Sequence, residues 1–197
     1  LSNKKQKKIN KSQKYWLLKI SIVTLIMTYL LGMFSEAFVR NFENTFFALL
    51  SIFFIILVGV LFDIVGVAVA AADDIPFLSM ASKKIRGANE ALILIKNASR
   101  VSSFCNDVIG DICGILSGSA GTILVARLII MRNTLDETIL SILISSLIAA
   151  LTVGGKAFGK NFAMENSQQI VLSVGYILSV FDIKNFKRQT KTNKKKE

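Results

Sequence analysis

Five side chains in this sequence could do chemistry where their surroundings are otherwise hydrocarbon. The stretch FCNDVIGDICG, residues 104–114, sets Asn106, Asp107 and Asp111 among Ile, Val, Cys and Gly. Asp63 interrupts a second apolar run, residues 46–72, and Ser145 sits in a third, residues 137–158. Carboxylate, amide and hydroxyl oxygens are hard ligands; they suit Mg²⁺ or Ca²⁺, and Na⁺ as well, rather than zinc or copper. Asp107 and Asp111 are four residues apart, so on a helix they share a face and repel unless something neutralises them. A carboxylate in hydrocarbon costs at least ~2.5–3.5 kcal/mol and must pair, protonate, face a cavity or bind a cation. No Lys or Arg is expected at that depth, which leaves protonation, with the acids hydrogen-bonding the bundle together, or a bound cation. The expected metal ligands are Asp63, Asn106, Asp107, Asp111 and Ser145, with Mg²⁺ the candidate ion and no catalytic or cofactor-binding residue.

Those residues need elements that bring them level. The chain has 197 residues, is 52% hydrophobic and has a mean hydropathy of +0.54. That composition implies an all-α integral membrane protein, with no soluble nucleotide-binding module and neither GxGxxG nor GxxxxGK[ST]. The net charge is +11, but the basic residues crowd 4–19, 83–100 and 184–196, beside apolar spans. That is how cytoplasmic membrane flanks are arranged, and it argues against nucleic acid. The sequence contains no histidine, so the commonest general base and transition-metal ligand is missing and no enzyme is expected. Cys105 and Cys113 lie about 12 Å apart along one helix, too far for a disulfide, and are expected to be buried packing residues.

Four transmembrane helices are expected, at 15–34, 46–72, 101–131 and 137–158. Tyr15, Trp16 and Lys19 anchor the inner end of the first, which is expected to be an uncleaved span rather than a signal peptide. Residues 1–14 read as a basic disordered cytoplasmic tail. Residues 35–45 and 132–136 are outer loops, and Asp73, Asp74 and Pro76 end the second span on the inner side. Residues 77–100 read as a basic juxtamembrane helix or helical hairpin. In residues 166–182, Ile170, Val171, Val174, Ile177, Leu178 and Phe181 form one apolar stripe, with Ser167, Ser173 and Ser179 on other faces. That pattern predicts a C-terminal amphipathic interfacial helix, followed by a basic cytoplasmic tail at 183–197. The basic bias puts both termini inside, in the cell (inner) membrane, with anionic lipid headgroups meeting the basic tails.

Counting from these span ends, Asp63 lies about 13 Å from the inner boundary, Asn106, Asp107 and Asp111 roughly 8 to 15 Å, and Ser145 about 14 Å. Three spans thus place oxygen ligands in one layer. Gly110, Gly114 and Gly118 recur every four residues, with Gly121 close behind, as a small-xxx-small packing face, with Gly59 and Gly66 as its expected counterpart. Lys156 and Lys160 mark the inner end of the fourth span.

With these features the stretch 50–181 resembles the transmembrane domain of the CorB/CorC (cyclin M) family of magnesium transport proteins. The family's middle span opens on a GN…N motif similar to CNDVIGD, with Asn106 at the Asn. Its juxtamembrane helix is similar to GANEA, residues 87–91, and its GE..PK motif to GKAFGK, residues 155–160, with Lys160 at the Lys. The family's glutamate in its first span falls here at Gly66 or a neighbour, and the Glu and Pro of GE..PK appear as Lys156 and Gly159. The family's CBS-pair domains do not occur in this sequence, and the span 15–34 is additional. Of the family's ion-coordinating positions only Asn106 carries over. The resemblance implies a helical membrane fold, divalent-cation (Mg²⁺/Co²⁺) transport and a homodimer. The alternative it leaves open is a non-transporting regulatory or assembly subunit derived from that family.

Overall fold

Long runs of Ile, Leu, Val and Phe can cross hydrocarbon only where every backbone N–H and C=O is satisfied within the segment, and a helix does this. The computed structural model describes residues 18, 20–33, 45–131 and 136–193, and the elements among them are all helical. In order they are α1 (Ile20–Met33), α2 (Thr45–Ala71), α3 (Ile75–Ser82), α4 (Ala88–Lys96) and α5 (Ala98–Ser103). A π-helical segment (Phe104–Gly110) then runs into α6 (Asp111–Met131), and α7 (Glu137–Glu165) and α8 (Ser167–Asn193) complete the chain.

Three stretches are long and apolar enough to cross a bilayer: Thr45–Ala71, Ala98–Ile130 and Glu137–Glu165. These match the second, third and fourth expected spans, each extended at an end. The helix Ile20–Met33 is shorter than a crossing helix. The rest of the expected first span, the tail 1–14, the loop 34–44 and the turn 132–135 lie outside the described residues.

The chain divides into two compact units. One holds α1, α2 up to Ile55, α6 from Gly114 and α7 up to Ile148. Its interior is made by Ala48, Ile52, Leu116, Ser117, Ala120, Leu124 and Ile148. The other holds residues 56–113 and those from Ala149 onward. Its core is Ala68, Val69, Phe77, Ala91, Ala163 and Val171, supplied by α2, α3, α4, α7 and α8.

In this second unit the basic stretch folds as a helical hairpin. Pro76 sits in the first turn of α3, where a missing N–H costs nothing. The turn to α4 passes through Lys84 at φ 56° and Gly87 at φ 87°. A side chain on Gly87 would meet the backbone of Tyr176, with its Cβ 2.5 Å from the Tyr176 nitrogen, so α4 and α8 approach at backbone contact. Gly175 answers from α8, against the Gly87 carbonyl and Ala91.

That close approach sets the inward face of the amphipathic helix. Ser167, Val171, Gly175 and Ser179 point inward, while Ile177 and Leu178 are exposed. Small residues at every fourth position admit a neighbouring helix, and the bulky apolar ones are left for what surrounds the protein. The Ser179 hydroxyl is satisfied locally, donating to the Tyr176 carbonyl at 2.7 Å. The helix continues beyond 182, through the stretch expected to be tail, to Asn193.

Candidate functional site

Four of the five expected polar residues, all but Ser145, lie in the second unit, where α2, the π-helical segment and α7 meet. Three glycines set the spacing. Gly59 of α2 faces Cys113, which would be 2.8 Å (Cβ to Cβ) from a side chain there. A Cβ on Gly155 or Gly159 of α7 would lie 2.9 Å from Val60 Cγ2 and 2.8 Å from Ile64 Cγ1 of α2, respectively. GKAFG is therefore a small-xxx-small face, and its packing against α2 carries Lys156 in among the acids.

Lys156 is the main correction to the sequence reading. Its Nζ donates to Asp111 Oδ1 at 3.3 Å. The fourth span does not end at 158; its helix runs on to Glu165, so a lysine taken to mark the boundary lies within the helix. Gly110 makes room for it. A Cβ at Gly110 would lie 3.3 Å from Lys156 Nζ, 3.4 Å from the Cys105 carbonyl oxygen and 3.7 Å from Asp63 Oδ1. The ammonium, Asp63 and the π-helical backbone thus surround one side-chain-sized point. Lys160, one turn along α7, and Asp107 also lie within electrostatic reach of Asp63.

Asn106 occupies the other end of the cluster. Its Nδ2 donates to Ser102 Oγ at 3.3 Å, and its Oδ1 is buried without a partner. The amide packs on Gly66: a Cβ there would fall on Asn106 Oδ1. Gly66 is one turn from Asp63 on α2, so the two positions share a helix face. The residues that bridge the cluster, 104–110, adopt the wider π-helical turn, a geometry that recurs at functional sites because it re-aims side chains within a helix.

Asp63, Asn106, Asp107 and Asp111 therefore all belong to one unit. Asp107 is exposed, and the Asp111 side chain is 66% exposed against 26% for Lys156. Ser145 belongs to the other unit and is exposed. Cys105 and Cys113 are free and buried, as expected. The expected glycine face is used at Gly110 and at Gly121, which packs on Ile148; at Gly114 and Gly118 a Cβ would meet nothing within 4 Å. Among the described residues, no group of three His, Cys, Asp or Glu side chains is placed to hold a metal ion.

Comparison with protein-family models, curated proteins and solved structures finds none that matches this chain.

Proposed function

We propose that this chain is an inner-membrane protein that binds and moves a divalent cation of the Mg²⁺/Co²⁺ class, at the cluster of Asp63, Asn106, Asp107 and Asp111. The observation that carries this reading is the buried, unpartnered Asn106 Oδ1 at the edge of a carboxylate cluster. A buried acceptor without a donor costs about 1–3 kcal/mol, and a cation is the partner that would satisfy it. Charge supports the same reading. Lys156 ion-pairs with Asp111, and among the described residues Asp63 and Asp107 make no ion pair. Mg²⁺ is commonly held by one or two carboxylates with several waters retained, so a full cage of acids is not required. Ser145, in the other unit, is left out of the set.

The proposal extends to four spans with both termini cytoplasmic, basic flanks on anionic lipid, and a homodimer in the manner of the CorB/CorC layout. The open positions Gly114 and Gly118 would suit the approach of a second copy. A non-transporting regulatory or assembly subunit is the second reading, and it draws on Lys156, which stands at the glutamate of the GE..PK motif and is already paired with Asp111.

Flux of Mg²⁺ into proteoliposomes separates the two. Asp63→Asn and Asp107→Asn are each expected to lower it about tenfold or more, a loss of at least ~1.4 kcal/mol of binding. Unchanged flux in both variants would overturn the site assignment, and no flux in the wild type together with a co-purifying partner would favour the subunit.

A further inference from the structure

Lys156 is the feature that neither the sequence reading nor the proposed transport accounts for, and its placement is specific. Its ammonium and Asp63 Oδ1 both lie within 4 Å of the point that a side chain on Gly110 would fill, and Asp111 Oδ1 accepts from it at 3.3 Å. A positive charge paired with Asp111, sharing the space over Gly110 with Asp63 and a backbone carbonyl, is where a free cation would settle. The pairing is also asymmetric. It is a single contact rather than a bidentate one, and the lysine is the more enclosed partner. The Asp111 side chain stays largely exposed.

We infer that Lys156 is a tethered cation: its ammonium holds the divalent-ion site in the ion-free state, and an arriving ion must displace it. This rests on the cation reading proposed above and adds the device that regulates occupancy. A lysine suits the task because its charge is compact and its four-carbon stem is flexible, so it can withdraw along α7 toward the exposed Lys160 without moving the helix. The displacing ion carries two charges against one, so divalent ions compete better than Na⁺ or K⁺. While the lysine is seated, Asp111 is neutralised, so the empty site does not leave all three acids facing one another.

The full chain in detergent, titrated with MgCl₂ and followed by thermal unfolding, tests this. Lys156→Gln is expected to lower the Mg²⁺ concentration for half-maximal protection tenfold or more, and Lys156→Arg to leave it unchanged or raise it. Lys156→Met reports the same competition should the Gln variant fail to fold. If the wild type responds to Mg²⁺ and both neutral variants respond equally or more weakly, the tethered cation is overturned while the cation site stands. If no folded form responds to Mg²⁺, the cation site itself is overturned, and the inference with it.

Discussion

At the scale of single residues, the site is a matter of which side chains are missing. Asn106 can lie where it does because Gly66 has no Cβ, and Lys156 can reach Asp111 past Gly110 for the same reason. Gly66→Ala is therefore expected to force the Asn106 amide aside, costing about 1–3 kcal/mol in thermal unfolding and removing Mg²⁺ protection. Gly154→Ala, with open space around it, is expected to be neutral or to stabilise the helix by up to ~1 kcal/mol. The acids and Asn106 were legible in the sequence because a carboxylate in an apolar run has few bland explanations. Lys156 was not, because a lysine near the end of a span has an ordinary one, as a topology signal. The clue lay in Gly155 and Gly159 on either side of it, a close-packing pattern that carries the helix onward as a packed element.

At the scale of elements, the hairpin α3–α4 and its clasp on α8 hold the inner part of the second unit. Gly87 bears a left-handed backbone and faces the Tyr176 main chain at 2.5 Å from its missing Cβ. Arg86 adds a cation over the Tyr176 ring, 5.3 Å from its centre. Gly87→Ala combines backbone strain with a clash, each worth about 1–3 kcal/mol. It is expected to release α8 and to speed tryptic cleavage at Lys83 and Lys84, measured by limited proteolysis in detergent. The hairpin was legible from the basic stretch and from Pro76. The buried face of α8 was not, because periodicity marks where bulk apolar residues lie. Where two helices meet at backbone distance, the inner face belongs to Ser, Gly and Val, and Ile177 and Leu178 turn outward.

At the scale of the whole molecule, the surface is that of a chain surrounded by something other than water. Along α7, Ile139, Ile142, Leu143, Leu147, Val153, Phe158 and Phe162 are all exposed, a run of large apolar side chains suited to hydrocarbon rather than water. Hydropathy made the three long spans legible, since their length and composition suffice on their own. Topology is a separate claim: four spans put both termini on one side and three put them on opposite sides. Ser12→Cys and Thr190→Cys are expected to react together with an impermeant thiol reagent only when the cytoplasmic face is open, whereas native Cys105 and Cys113 are buried and stay protected. The proposed cation site binds these scales together, and thermal stability of the detergent-solubilised chain across Mg²⁺, Ca²⁺, Mn²⁺ and Na⁺ tests it most directly. A bound ion is expected to raise the unfolding transition by about 2.7 kcal/mol at a hundredfold excess over its Kd, with divalent ions ahead of Na⁺ and the effect lost in Asp63→Asn. A transition that no divalent ion moves, or one that Mg²⁺ moves equally in wild type and Asp63→Asn, would contradict it.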